Sequence, residues 1–193
     1  MSTALAPTTR TVDGREVPPA GTYDLDPGHS HVGFTVKHLM VAKTRGRFGD
    51  FAASVVIGDD PAESSVEVEV SMASVDTRDE QRDGHLRSPD FFDVEQFPTM
   101  TYRSTGVTPA ADGHWTVDGE LTIRGITRPV ALDVEFDGGV GDPWGNARAV
   151  FSATATIDRE AFGLTWNQAL EGGGVLVGKK VTIEIEAEAV RRA

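Results

Sequence analysis

Ser65-Val66-Glu67-Val68-Glu69-Val70-Ser71-Met72 is the stretch that decides the fold class. Apolar side chains take every even position and Ser or Glu every odd one, the period of a strand with one buried and one wet face. A helical reading would scatter the two carboxylates around the axis. The same alternation extends in both directions. Upstream, Val32, Phe34, Val36 and His38 share a face against His31, Gly33, Thr35 and Lys37. Phe51, Ala53, Val55 and Ile57 follow on one parity, with Phe48 out of phase across Gly49-Asp50, which predicts a bulge inside one strand. Downstream come Met100 with Tyr102; Trp115, Val117, Leu121 and Ile123; Val130, Leu132, Val134 and Phe136; Ala149, Phe151, Ala153, Ala155 and Ile157; then Val181, Ile183, Ile185 and Ala187. Eight strands result. The connections Gly58-Asp59-Asp60-Pro61, Ala111-Asp112-Gly113 and Asp137-Gly138-Gly139 have hairpin composition, so an up-and-down antiparallel sheet is expected.

Two stretches break the rhythm. Thr77-Arg78-Asp79-Glu80 has capping-box spacing and predicts a short helix through Arg87, and Ser88-Pro89-Asp90 predicts a second helical turn ending near Phe97-Pro98. Residues 158–174 hold Phe162, Leu164 and Trp166 and end in three glycines, the composition of a long connection.

A sheet of eight strands with one apolar face folds into a sandwich or closes into a barrel, and closure removes the edges on which other chains could pair. The class expected is all-β: an extended eight-stranded antiparallel barrel with one or two short helices. Strands of ten residues at ~3.3 Å each make walls about 30 Å tall. Gly119, Ala149, Ala153, Ala155 and Ala187 fall on the inward parity. An eight-stranded barrel either fills with side chains or holds one small ligand, and this composition favours the second. Phe91, Phe92, Phe97, Phe162 and Trp166 lie outside the strands and either plug the ends or close an apolar tunnel.

Composition narrows the partners. The chain has 193 residues, 18 Lys plus Arg against 30 Asp plus Glu, and a net charge of -12, which repels a phosphate backbone. Nucleic acid is therefore not expected as a partner. Without cysteine there is no disulfide framework, thiolate chemistry or Cys-based metal site. No apolar run approaches the ~20 residues of a membrane-spanning helix. Residues 1–21 mix Thr, Pro, Ala and alternating charges without apolar period and read as a flexible leader, with residues 22–193 as the folded domain. Only Ala4-Leu5-Ala6 is apolar there before Pro7, too short for a secretory h-region, so a cytoplasmic setting is expected. An unpaired barrel rim could support a homodimer, which nothing in the sequence requires.

Chemical motifs are few. Asp24, Asp26, His29, His31 and His38 are the densest group of metal-ligand types, yet Asp-Pro-Gly-His is also simple turn chemistry before a strand. No metal site and no cofactor are expected. Gly173 to Lys179 has phosphate-loop glycine spacing, but Lys180 replaces the required Ser or Thr and the segment leads into a strand. His38, Arg82, Asp83 and His85 are the acid–base groups an enzyme acting on an apolar substrate would use at the barrel mouth.

Six blocks then occur in order. Tyr23-x-x-Asp26-Pro27-x-His29-Ser30-x-Val32-x-Phe34-x-Val36-x-His38 with Gly46-Arg47-Phe48 is the first, and Ser74-Val75-Asp76-Thr77 the second. Arg82-Asp83-x-His85-Leu86 with Asp90-Phe91-Phe92-Asp93, and the run from Pro98 to Ser104, follow. Gly119-x-Leu121-Thr122-Ile123-Arg124-Gly125-Ile126-Thr127 and Arg159-x-x-Phe162-Gly163-Leu164 complete the set. Together they resemble the YceI-like family of polyisoprenoid-binding proteins, from about Tyr23 to Val190. The resemblance implies a lipocalin-like barrel that encloses the chain of a long isoprenoid lipid, such as a polyprenyl phosphate or a quinone tail, and binding rather than catalysis. On that reading the tunnel wall comprises Phe34, Val36, His38, Phe48, Leu86, Phe91, Phe92, Leu121, Ile123, Phe162, Leu164 and Trp166. Arg82 and His85 would meet the head group.

Overall fold

The structure, a computed structural model, describes residues 8–192. In chain order its strands are β1 (Arg10–Val12), β2 (Arg15–Val17), β3 (Gly21–Leu25), β4 (His31–His38), β5 (Ala42–Phe48), β6 (Phe51–Ile57), β7 (Ser65–Ser71) and β8 (Val75–Asp76). Helix α1 (Glu80–Arg87) precedes β9 (Thr99–Pro109), β10 (Trp115–Ile123), β11 (Ile126–Gly141), β12 (Ala147–Asp158) and β13 (Val177–Arg191). Pairing runs β12-β11-β10-β9-β7-β6-β3-β13, and β13 returns to β12 along its whole length from Arg148↔Val190 to Asp158↔Lys180. The sheet is thus a closed eight-stranded antiparallel barrel. Its tall strands, up to 16 residues in β11 and 15 in β13, follow from the long alternating runs.

Three walls of this barrel are broken at one level. β3 and β4 lie end to end on β13, separated by a 3₁₀ turn at Pro27–His29 whose first amide is accepted by the Asp26 carboxylate. Proline has no amide hydrogen to continue the ladder. The facing wall therefore also divides: β5 pairs with β4 and β6 with β3. Gly49-Asp50 is consequently a break between two strands, where a bulge within one was expected. The Met72–Ser74 turn divides β7 from β8 likewise, and Gly49 N donates to Ser74 O at 3.2 Å across the gap.

Other departures have equally local causes. The Asp137-Gly138-Gly139 turn does not form: β11 continues through it with a register shift against β12, and the chain reverses at Asp142–Asn146 instead. Gly139 is needed there because the Thr8 backbone lies where its side chain would be. The helix starts two residues later than the capping box suggests, since Asp79 accepts from Arg82 N while the Thr77 hydroxyl turns to Asp83. After Ser88 the chain runs through hydrogen-bonded turns to Gln96, not a second helix.

The leader needs the largest correction. Residues Met1 to Pro7 lie outside the described residues, but β1 and β2 pair as a hairpin (Arg10↔Val17) and Val17 is only 3% exposed. Arg10 donates to the carbonyls of Gly58, Asp59 and Pro18, and Arg15 to those of Ala110 and His114 while stacking on Trp115. These two side chains strap the hairpin across the β6–β7 and β9–β10 connections, at the barrel end remote from α1. Among the described residues no helix is long and apolar enough to cross a membrane.

Candidate functional site

The barrel interior holds two separate spaces and a packed hydrophobic core. The deep chamber, about 210 Å³, is bounded by inward side chains of the walls, among them Val32, Val70, Val117, Leu132, Ala153 and Ile183. Val17, the last residue of the hairpin, and the adjoining Pro18 border it as well. Tyr102 is among its few polar neighbours, and its hydroxyl donates toward Val117 O at 2.9 Å and Val130 O at 3.2 Å. Burial, with the Asp118 carboxylate adding to it, pushes this phenol up to about 12, so it stays neutral and presents no charge to the chamber. Gly119 makes this possible, because any side chain on it would occupy the Tyr102 ring. The small inward residues thus divide: Ala153 and Ala187 leave room, Gly119 is filled by Tyr102, and Ala149 packs with Ala189 on Tyr23.

The mouth cavity is larger, about 590 Å³, and mixed in character. β4 supplies Phe34, Val36, Lys37 and His38; β5 supplies Thr44; α1 supplies Gln81, Arg82, His85 and Leu86; Thr77, Asp79, Phe91, Trp166, Leu176 and Val177 complete the rim. Alternation on β4 turns its three aromatic or apolar residues inward, and Gly46 opposite Phe34 leaves space for that ring. His85 is fixed from three sides. Its Nε2 meets Asp90 Oδ2 at 2.8 Å, and its ring packs edge-on against Phe91 at 5.1 Å and Trp166 at 4.6 Å. Arg82 donates from Nε to Thr77 Oγ1 and from Nη2 to Thr77 O, both at 2.7 Å. Asp83, 7% exposed, accepts from the Thr77 amide and hydroxyl. Arg82 and Asp83 therefore both serve to hold the β8–α1 connection.

Of the residues expected to form one tunnel, Phe34, Val36, His38, Leu86, Phe91 and Trp166 line the mouth, as do Arg82 and His85. Leu121 lines the deep chamber. Phe48, Phe92, Ile123, Phe162 and Leu164 line neither space and pack in the hydrophobic core, where Phe34, Phe48 and Phe92 stand in a row at centroid spacings of 5.7 and 6.1 Å. No residue lines both spaces.

Sequence reasoning missed Arg159 as a builder of the site. It is 3% exposed and donates to four carbonyls, those of Leu164, Trp166, Val177 and Gly178. Burial lowers its pKa from the ordinary guanidinium value. The available signal was an arginine three residues ahead of Phe162 and five ahead of Leu164, both apolar. The metal-ligand group did not assemble as five residues. Asp26, His29 and Glu188 do converge, but the Arg148 guanidinium bridges Asp26 at 2.7 Å and Glu188 at 2.6 Å, so that charge is already met. Asp24 pairs with Arg192.

The sequence profile of the YceI-like domain matches residues 23–189. The chain belongs to the YceI-like family. This YceI-like chain is 39% identical over 169 residues to the UPF0312 protein SA2479 of Staphylococcus aureus (strain N315), covering 86% of this chain and 95% of that protein. Among solved structures it resembles Burkholderia cenocepacia BcnA, with a TM-score of 0.75 and 24% identity over 85% of this chain and 98% of BcnA. The Campylobacter jejuni YCEI protein is 28% identical, with a TM-score of 0.68 over 81% of this chain and 90% of the other. A polyisoprenoid binding domain from Saccharophagus degradans, implicated in plant cell wall breakdown, shares the fold at a TM-score of 0.65 and 13% identity, covering 90% of this chain and all of that one. The β1–β2 hairpin lies outside the YceI-like segment.

Proposed function

We propose that the protein binds a long isoprenoid lipid, a polyprenyl phosphate or a quinone-type tail, and serves as its carrier or reservoir rather than as an enzyme. The observation that carries this reading is the deep chamber: an apolar space inside the barrel, bordered by a Tyr102 hydroxyl that is satisfied by backbone carbonyls. Such a space gives affinity at ~25 cal/mol per Å² of chain removed from water and needs no reactive group. The polyisoprenoid binding domain that shares the fold supports the same ligand class.

The head group belongs in the mouth cavity, beside His85 and the Arg82 guanidinium, and the tail points inward. Ligand pockets run about 300–1,000 Å³, so the 210 Å³ chamber is small for a long chain by itself. Loading therefore requires Phe48 and Phe92 to part and join the two spaces. We take the setting to be cytoplasmic, in keeping with the composition above.

Extraction of the purified protein with organic solvent, followed by mass spectrometry, tests the reading. Polyprenyl species are expected in the extract, and added polyprenyl phosphate should raise the melting temperature. A protein that carries no lipid and is not stabilised by any polyprenyl compound ends the proposal.

A further inference from the structure

The connection between β4 and β5 is a tight turn made of the wrong residues for its shape. Leu39 (φ 51°) and Met40 (φ 65°), in the three-residue connection, both occupy the left-handed region, which favours Gly and Asn. Their side chains gain nothing from the core: Leu39, Met40 and Val41 are 44%, 55% and 88% exposed. Strained backbone presenting three contiguous apolar side chains to solvent is unfavourable twice over.

Charge is just as uneven. Residues 31–48 contain Lys37, Lys43, Arg45 and Arg47 and no Asp or Glu, within a chain of net charge -12. Lys179 and Lys180 stand on the neighbouring β13 beside Lys37. Arg47 is paired with Asp76 and Lys179 with Glu160, while among the described residues no carboxylate pairs with Lys37, Lys43, Arg45 or Lys180. The loop opposite, residues 163–176, has Glu171 as its single charged residue. This corner is the basic pole of an acidic protein.

It is also the rim of the mouth. Leu39 N donates to Leu176 O at 2.9 Å, and His38 and Leu176 line the mouth cavity. We propose that the β4–β5 tip docks on the surface of an anionic lipid bilayer, with Leu39, Met40 and Val41 entering the headgroup boundary and the unpaired cations meeting lipid phosphates. Apolar insertion beside basic residues is how peripheral proteins hold an anionic membrane. The acidic remainder of the barrel is repelled by the same surface, which leaves the mouth facing the bilayer as the one stable orientation. The inference does not depend on what the cavity holds.

The full chain is mixed with phosphatidylcholine vesicles, with or without phosphatidylglycerol and free of isoprenoid lipids, and floated through a density gradient. Binding is expected only with phosphatidylglycerol and should weaken as salt rises. Leu39→Asn with Met40→Gly and Val41→Thr suits the turn better than the native residues, so it should fold and yet bind at least tenfold more weakly. Lys43→Gln with Arg45→Gln should weaken binding by about fivefold per charge. Failure of the native protein to float with anionic vesicles overturns the proposal, as does a tip variant that floats equally well. A tip-dependent dimer by light scattering, with no flotation, assigns the patch to a second copy and also overturns it.

Discussion

The guanidinium of Arg159 donates to the backbone carbonyl of Trp166 at 3.0 Å, and this bond fixes the indole that walls the mouth. Arg159 sits in the 3₁₀ turn after β12 and reaches across to the opposite end of the 163–176 loop at Val177 and Gly178. One buried cation thus organises a segment without regular structure. Asn167 ties the loop further: its side-chain amide accepts from Val177 N and donates to Val177 O.

Arg159→Met removes every one of those donors from a buried site. Each orphaned carbonyl costs about 1–3 kcal/mol, so the variant should lose at least ~3 kcal/mol in urea unfolding and shift Trp166 emission toward the solvent-exposed wavelength. Arg159→Lys, with fewer donors and no planar fork, should recover only part of both. A loss below ~1 kcal/mol for Arg159→Met means the loop is held by something else.

A second cation centre predicts the response to acid. Asp142 accepts from the Asn146 side chain, two backbone amides and Arg148, and these hold its carboxyl at about 2 against an ordinary 3.8. Asp26 is lowered too, chiefly by its bond from Arg148. A carboxyl more acidic in the folded state stabilises the fold above its unfolded value, and that stabilisation disappears as pH falls from about 3.8 through about 2. Melting temperature should therefore drop across that window, and Asp142→Asn should flatten the slope there while leaving the neutral range shallow. An unchanged acid limb in Asp142→Asn would falsify this assignment.

What was legible in the sequence is what depends on neighbours along a strand. Val66 to Met72 announce their strand because alternate side chains must face alternate sides whatever the partner is. Eight walls and the inward set Leu121, Ile123 and Phe34 follow from the same rule, whereas closure follows from the need to remove sheet edges. Contacts between distant segments were not legible. The β1–β2 hairpin has almost no apolar content and is held by Arg10 and Arg15 bonding carbonyls 48 to 99 residues away. Parity also puts Phe48 and Leu121 on one inward face without saying that the first fills the barrel and the second borders a void. That distinction comes from ring packing across the axis, where Phe48 meets Phe34 and Phe92.

The hairpin straps imply a removable base to the chamber. Arg10→Ala with Arg15→Ala leaves the β1–β2 pairing intact but releases it from the β6–β7 and β9–β10 connections. We expect a loss of about 1–3 kcal/mol and a rise in fluorescence of an apolar dye that gains entry past Val17 and Pro18. If dye binding stays at the native level while stability falls, the hairpin braces the barrel without sealing it.

Filling the chamber separates its role from that of the mouth. Ala153 lies on β12 between Val134 and Ile185, with its methyl group on the chamber wall and 8% exposure. Ala153→Leu places three more carbons in a 210 Å³ space that native side chains leave open. Cavity filling commonly adds about 0.5–2 kcal/mol, whereas the same change in a packed core costs about 1–3 kcal/mol, so the sign of the stability change reports whether the room is real. With real room, the variant should melt no lower than the native protein and yet retain several-fold less polyprenyl lipid after purification. Thr154→Leu, one residue on and facing solvent, should retain the native amount. Equal lipid in Ala153→Leu and the native protein would place the tail in the mouth cavity alone.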